Sequence, residues 1–339
     1  MKLSSARFLK RELLAFKTTF AHSLSAVSAT PSAAARRASV KRTLADVALG
    51  ISPGAKKGDF RLAVRLHKEG PEVDAVVADI RAEARGEVHV QHVGTLTKLA
   101  RKPAWFRKRQ RPLILGASIG EKPPTGFHSA GTLGGFVVER KAPHYLGLLT
   151  NNHVIAGENS KPLGSKIVQP GTLDAGRFPQ DVIGELGSFV PLRPGRNLVD
   201  AAVGHLYEGV AYDPRTIGDF GDLVGLGDVL RLPARAKVHK AGRTTGETTG
   251  RITAIEVDNV RVTYDTGVFT FDGQIEIEGT GNQPFSEGGD SGSLIVDEKL
   301  RAIGLLFAGG TVGGSNGKGL TFANPIGTVL DALGVDLER

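Results

Sequence analysis

The chain has 339 residues, contains no cysteine and carries a formal net charge of +8. All of that excess lies in residues 1–43, which hold nine lysines or arginines and one acid, so the remaining 34 basic and 34 acidic residues balance. Because a nucleic-acid-binding fold needs a basic face of its own, this balance excludes nucleic-acid binding as a property of the globular part. The missing disulfides favour a reducing compartment, and we predict a cytoplasmic protein without a transmembrane segment.

The N-terminal segment 1–43 combines basic residues with a helical apolar spacing at Leu9, Leu13, Phe16 and Phe20. Such a segment fits an organelle presequence, a membrane-surface helix, or a helix that docks on a partner or on a second copy of the chain. A solvated tail with one marginal helix is the plainer interpretation. Among the functional ones we favour self-association or partner docking.

Residues 44–112 have the pattern of a small accessory domain that ends in a basic linker over 98–112. Alternating apolar residues predict strands at 60–68 and 87–96, and a proline start with helical spacing predicts a helix over 71–84. This β–α–β unit carries no cluster of catalytic residue types. We therefore expect it to pack structurally and not to hold a ligand.

The segment 113–339 changes to short alternating stretches separated by Gly, Pro, Asn and Asp, with one helical stretch at 325–334. About a dozen strands over roughly 210 residues fit two packed antiparallel barrels better than one sandwich. The sequence thus predicts an all-β fold with two six-stranded barrels, preceded by the accessory domain and the basic tail.

Three residues in this segment have the types and the settings of a nucleophilic active site. His153 follows the apolar run LLTNN, Asp200 lies in NLVDAAVG, and Ser291 lies in the glycine-dense turn EGGDSGS. Serine needs a base to become a nucleophile, and an imidazole in that role needs a carboxylate to fix its tautomer. Glycines around the serine let the N–H groups of Gly289 and Ser291 converge on a developing oxyanion.

Order and spacing raise this set above chance. His153 precedes Asp200 by 47 residues, and Asp200 precedes Ser291 by 91. The order His, Asp, Ser is that of chymotrypsin, and it differs from the orders of subtilisin and of the α/β-hydrolases.

These motifs resemble those of the chymotrypsin/trypsin-like serine proteases. TNNHV, DAAV and GGDSGS are similar to the family's histidine, aspartate and serine loops, and KAGRTTGETTGRITA resembles a hairpin of the α-lytic and streptogrisin-type proteases. In those relatives a disulfide flanks the hairpin, at positions that match His239 and Thr249 here. The wider pattern across about 113–330 resembles the narrow-leaf-type proteases of plants and their bacterial relatives.

The resemblance implies further roles. Phe285 would lie at the base of the primary specificity pocket, although the nearby Glu287 weakens an apolar preference. Phe307, Ala308 and Gly309 would form the strand that pairs with substrate backbone.

The chain also departs from the family pattern. Digestive members pair a freed terminus with the aspartate before the serine, and the Ile-Val-Gly-Gly sequence that supplies that terminus is missing here. We therefore expect local hydrogen bonds to orient Asp290, and a site that is preformed or controlled by assembly.

The function predicted is a serine endopeptidase with protein or peptide substrates, restricted in range because broad proteolysis inside a cell is toxic. A scaffold that kept the fold without turnover, and a serine esterase, stay as alternatives. His205 and His239 are expected to be packed or surface groups, and we predict no metal and no cofactor.

Overall fold

The computed structural model describes residues 1–23, 46–54, 56, 58–94, 105–121, 129–141 and 143–339, without the side chains of 16–23 and 105. Residues 24–43 of the predicted tail and 98–104 of the predicted linker lie outside the described residues.

The N-terminal segment begins with a helix, α1 (Leu3–Ser23). Leu9 and Leu13 pack against the apolar cluster of the strands that follow. The Arg7 guanidinium donates to both carboxylate oxygens of Glu256 in the second barrel. The helix predicted from apolar spacing is confirmed, and its described part packs on the chain's own body.

A three-stranded unit follows, built from β1 (Val47–Pro53), β2 (Phe60–Leu66), α2 (Pro71–Glu83) and β3 (Val88–His92). The predicted β–α–β unit is confirmed as β2–α2–β3, with β2 and β3 parallel. Strand β1 was not predicted. Its first six residues are all buried, so the alternation that identifies a half-buried strand is missing.

The next elements include seven strands of the first barrel, one short helix and one strand, β10, that belongs to a separate sheet. They are β4 (Ser118–Glu121), β5 (Gly131–Thr132), β6 (Gly135–Glu139), β7 (Leu146–Thr150), the short helix α3 (Asn152–Ile155), β8 (Lys166–Val168), β9 (Val182–Phe189), β10 (Arg196–Asn197) and β11 (Ala202–Leu206).

The remaining elements include the six strands of the second barrel, the two strands of a hairpin in a separate sheet and the C-terminal elements. They comprise β12 (Gly225–Leu226), β13 (Lys237–Gly242), β14 (Gly246–Asp258), β15 (Val260–Tyr264), β16 (Gly267–Phe271), β17 (Gln274–Gly279), β18 (Leu294–Asp297), β19 (Arg301–Gly309), β20 (Leu320–Pro325), α4 (Ile326–Leu333) and β21 (Val335–Leu337).

The strand pairings define two barrels of unequal closure. The second barrel has the order β13-β18-β19-β20-β17-β14, and β14 pairs back with β13, so six strands close on themselves. The first barrel is one sheet of eight strands in the order β21-β6-β7-β11-β9-β8-β4-β5. Strands β21 and β5, at the two edges of this sheet, are not paired with each other in the described part of the chain. The all-β double-barrel fold of the chymotrypsin-like kind is therefore confirmed, with a more open first barrel than predicted.

Strand β14 connects the accessory strands to the second barrel. Its 13 residues pair with β13 at one end and with β1 at the other, and bulges against β17 let it bend between the two. A buried ion pair reinforces the junction, since Arg65 on β2 makes two hydrogen bonds to Glu276 on β17, at 2.6 and 2.7 Å. Both side chains are fully buried.

No helix within the described stretches of the chain is long and apolar enough to span a membrane.

Candidate active site

His153 is placed by the end of β7. This apolar strand stops at Thr150, Asn151 precedes the single turn of α3, and the histidine is the second residue of that turn. Its side chain is 5% exposed. The strand-to-turn transition expected from LLTNNHV therefore sets the imidazole at the rim of the first barrel.

Asp200 and His153 are brought together by the fold. The His153 Nδ1 atom lies 2.5 Å from Asp200 Oδ2, and the His153 backbone N–H donates to Oδ1 at 3.2 Å. Because an ionised carboxylate only accepts hydrogen bonds, Nδ1 carries the proton and Nε2 is left as the basic nitrogen. A general base needs this tautomer.

Beside the imidazole, three uncharged side chains hold Asp200 in place. The Asn151 amide donates to its backbone carbonyl at 2.6 Å, and Asn324 Oδ1 accepts its backbone N–H at 3.0 Å. The Tyr264 hydroxyl donates to Oδ2 at 2.7 Å. Burial, followed by the charge of Asp200, raises the pKa of Tyr264 well above 10.0, which keeps the phenol protonated.

These partners of Asp200 were not identified from the sequence. Asn151 lies inside the motif TNNHV and Asn324 in the segment ANPI, but nothing local in the sequence assigned either of them a role. Tyr264 lies 64 residues from its partner, and only the tertiary structure makes that contact.

Ser291 lies on the loop between β17 and β18, which we call the serine loop (residues 280–293). Thr132 of the first barrel fastens it twice, because its N–H donates to the Ser291 carbonyl at 2.8 Å and its hydroxyl to the Gly289 carbonyl at 2.8 Å. The Gly292 N–H donates to Leu306 on β19. Sequence reasoning also missed Thr132 as a residue that holds the serine loop.

The serine loop and the histidine turn meet across Gly131. A methyl group built on Gly131 would stand 2.5 Å from a Val154 methyl carbon and 3.1 Å from the Ser291 carbonyl oxygen. Val154 directly follows His153 in the sequence. In the described part of the chain no hydrogen bond joins the Ser291 hydroxyl to the His153 ring, and such contacts commonly tighten only when substrate binds.

Gly289 has the backbone expected of an oxyanion loop. Its φ of +94° favours glycine, and a side chain there would meet an Arg243 nitrogen at 2.5 Å and Thr244 Oγ1 at 2.6 Å. Among the described residues no acceptor pairs with the N–H of Gly289 or of Ser291. Both donors are therefore available to a ligand.

Asp290 is oriented by local hydrogen bonds, as predicted. Its carboxylate accepts the N–H groups of Thr244, Thr245 and Glu287 at 2.7, 3.1 and 2.9 Å. The prediction missed Lys240, whose Nζ lies 3.3 Å from Oδ2 in a pair that is fully buried on both sides. Burial lowers the pKa of the Lys240 ammonium, although the charge of Asp290 acts in the opposite direction.

Of the residues predicted for substrate binding, Phe285 lies on the serine loop, and Phe307, Ala308 and Gly309 lie at the end of β19. Phe285 is 1% exposed, and its ring packs in the second-barrel core, 5.8 Å from Lys240 Nζ. Phe307 packs against Phe271, with ring centroids 4.7 Å apart. Among the described strands, Ala308 and Gly309 pair only with β20, because β18 pairs with β19 no further than Leu305.

A cavity of about 490 Å³ opens beside the serine loop. Phe285 is not part of its wall. The lining is polar and includes two carboxylates, with these residues: Thr244, Thr245, Glu247, Thr248, Thr249, Thr280, Gln283, Pro284 and Glu287.

The remaining histidines of interest have ordinary partners. His205 Nε2 lies 2.8 Å from a Glu139 oxygen, and His239 Nδ1 lies 2.9 Å from Thr249 Oγ1. His239 and Thr249 are direct neighbours across β13 and β14, so a hydrogen bond joins the two positions matched to the relatives' disulfide. Within the described ranges no group of three or more acidic or histidine side chains could hold a metal ion.

Comparison with known proteins found one related sequence among curated proteins. The chain is 28% identical over 223 residues to the protein NARROW LEAF 1 of Oryza sativa subsp. japonica, covering 56% of this chain and 36% of that one. The chain thus matches about a third of that protein's length. No known family profile matches the chain.

Several solved bacterial proteases have a similar structure. Protease A of Thermobifida fusca is 20% identical, with 66% of this chain and 97% of that chain covered and a TM-score of 0.45. A Nocardiopsis protease is 19% identical, with 67% and 99% covered and a TM-score of 0.46. A chymotrypsin of Cellulomonas bogoriensis is 22% identical, with 67% and 98% covered and a TM-score of 0.44.

Proposed function

We propose that the chain is a serine endopeptidase whose catalytic triad is His153, Asp200 and Ser291, with the activity in residues 113–339. The observation that carries the proposal is the buried His153–Asp200 hydrogen bond of 2.5 Å, which fixes the imidazole with its basic nitrogen free. A histidine that served packing alone would not need a fully buried carboxylate ringed by donors.

The chemistry follows from these positions. His153 Nε2 takes the hydroxyl proton as Ser291 Oγ attacks the carbonyl carbon, and Asp200 stabilises the imidazolium that forms. The N–H groups of Gly289 and Ser291 bind the oxyanion. The imidazolium then gives its proton to the leaving amine, and water repeats the cycle on the acyl-enzyme.

The edge of Ala308 and Gly309 that pairs with no other described strand supports backbone pairing with an extended peptide, which favours peptides over small esters. The ion pair of Lys240 with Asp290 supports a serine loop that is formed without a cleavage step.

We further propose an intracellular setting with restricted substrates, and self-association or partner docking through residues 1–43, motivated by the cysteine-free and basic sequence.

A fluorophosphonate probe and a pair of peptide and ester substrates test the activity. The wild type should be labelled and should cleave the peptide, and Ser291→Ala should abolish labelling and lower turnover at least about 1000-fold. Ser165→Ala is the control, because that hydroxyl donates to the Pro162 carbonyl in the first barrel. Labelling that persists in Ser291→Ala, or a wild type without labelling, would contradict the proposal.

One observation favours the scaffold alternative, namely that no described hydrogen bond joins Ser291 to His153. The same experiment separates the two, because a scaffold would bind peptide without being labelled. Hydrolysis of the ester alone would indicate an esterase.

A further inference from the structure

A hairpin of the second barrel reaches across to the histidine and aspartate of the first. It consists of β15 and β16 (Val260–Tyr264 and Gly267–Phe271), inserted between β14 and β17. The two strands form a separate sheet with β10 (Arg196–Asn197), which lies just before Asp200 in the sequence. The hairpin therefore lies outside the second-barrel sheet and pairs with the segment that leads into Asp200.

The first contact is made by Tyr264 at the end of β15. Its hydroxyl donates to Asp200 Oδ2 at 2.7 Å, and the same oxygen lies 2.5 Å from His153 Nδ1. The Tyr264 and His153 rings meet edge to face, with centroids 5.5 Å apart. Tyr264 thus touches both members of the pair.

The second contact is made by the tip of the hairpin. Glu158 lies five residues after His153, at the end of the histidine turn, and is 8% exposed. Its carboxylate accepts the Asp265 N–H at 3.1 Å and both the N–H and the hydroxyl of Thr266 at 2.8 Å. The turn that carries the base is therefore tied to the hairpin.

The third contact is made by β16. It pairs in parallel with β10, and the Asp272 N–H donates to the Asn197 carbonyl at 2.9 Å. Gln274, which follows β16 at the start of β17, adds another hydrogen bond, because its side-chain amide donates to the Leu198 carbonyl at 2.9 Å. The segment that leads into Asp200 is thus fixed by the same hairpin.

We propose that this hairpin positions the His153–Asp200 pair and that Tyr264 is a positioning residue which tunes the basicity of His153 through Asp200. The inference rests on the proposed serine hydrolase activity. A neutral hydroxyl orients the carboxylate and draws off part of its negative charge, without supplying a cation that would compete with the imidazolium.

The hydroxyl can be removed with little change in packing. The Tyr264 ring packs against Phe269 and Phe271, with centroids at 5.6 and 6.2 Å, and Tyr264→Phe keeps that ring in place. The loss leaves more negative charge on the oxygen that faces His153, so the imidazolium is stabilised and the carboxylate is less well oriented. The raised pKa of Tyr264 means that the hydroxyl stays a donor over the working pH range.

The test compares Tyr264→Phe with Tyr207→Phe, whose hydroxyl also donates to a carboxylate, Glu185 Oε2 at 2.8 Å, but on the first barrel. For Tyr264→Phe we expect kcat to fall about 10-fold with KM unchanged, the loss of one hydrogen bond to a charged group. The acid limb of the pH profile of kcat/KM should move to higher pH. Tyr207→Phe should match the wild type in both.

A titration of the His153 ring by NMR gives a readout that needs no turnover. The ring should titrate at higher pH in Tyr264→Phe than in the wild type, and Glu158→Gln, which weakens the second contact, should broaden the ring signals. An unmoved titration in Tyr264→Phe would overturn the inference even if the wild type is active. A wild type that cleaves nothing but shows the shift would overturn the proposed function alone.

Discussion

Asp200 and Asp290 are two fully buried carboxylates of the same candidate site, and different groups surround them. Asp200 accepts hydrogen bonds from a phenol, an imidazole and a backbone N–H. Asp290 accepts three backbone N–H groups and the Thr245 hydroxyl, and it also pairs with the ammonium of Lys240.

The difference follows from what each carboxylate has to do. Asp200 must offer its charge to an imidazolium that exists only during the reaction, so a permanent cation beside it would cancel its effect. Asp290 takes no part in the proposed chemistry, so its charge can be fully paired inside the protein. Asp290 instead fixes the backbone of the serine loop, which carries the proposed oxyanion donors.

Breaking the pair at Asp290 has the largest expected effect. In Asp290→Asn the Lys240 ammonium is left buried without its partner, and we expect the free energy of unfolding to drop by about 3 to 5 kcal/mol. The serine loop should lose its shape, so kcat/KM should fall about 1000-fold. Chemical denaturation and steady-state kinetics measure the two effects.

The accessory junction offers a matched control for this substitution. Glu276→Gln breaks another fully buried pair, with Arg65, and Glu276 makes no contact with the catalytic residues in the described part of the chain. It should cost a similar free energy of unfolding and leave kcat/KM of the folded enzyme unchanged. Equal activity losses in the two variants would mean that Asp290 acts through global stability alone.

A smaller effect is expected at Gly289. Gly289→Ala forces a side chain into a backbone with φ of +94° and against Arg243 and Thr244, which displaces one oxyanion donor and should lower kcat about 100-fold. Gly209→Ala is the control, because φ is +81° there and nothing lies within 4 Å of the added methyl. It should show the backbone penalty in stability and no loss of kcat.

The smallest effect concerns alkaline pH. The pKa of Tyr264 is raised in the folded protein by burial and by Asp200, so above about pH 10 the unfolded chain releases this proton first. The stabilisation of the folded state that this pKa difference provides is complete below about pH 10. It is lost as the pH rises further, by up to about 1.4 kcal/mol per pH unit. Denaturation curves measured at several alkaline pH values should show a smaller fall in the free energy of unfolding for Tyr264→Phe than for the wild type. An equal fall in both proteins would contradict this prediction.

Much of the architecture was accessible from the sequence, because it is written in local patterns. Alternation predicted about a dozen strands in two barrels, and the helices at 71–84 and 325–334 match α2 and α4. Strand β1 and the open first barrel were missed. A strand buried on both faces has no alternation, and barrel closure depends on pairings between distant strands.

The sequence by itself determined the candidate residues His153, Asp200 and Ser291, because their types, their order and the glycines around the serine are local signals. The tertiary structure decided what holds them. Tyr264, Thr132 and Lys240 lie far along the chain from their partners, and only packed strands and a hairpin that crosses between the barrels bring them within 3.3 Å. Such contacts leave no pattern in the sequence, because each depends on the folded path of the whole chain between the two groups.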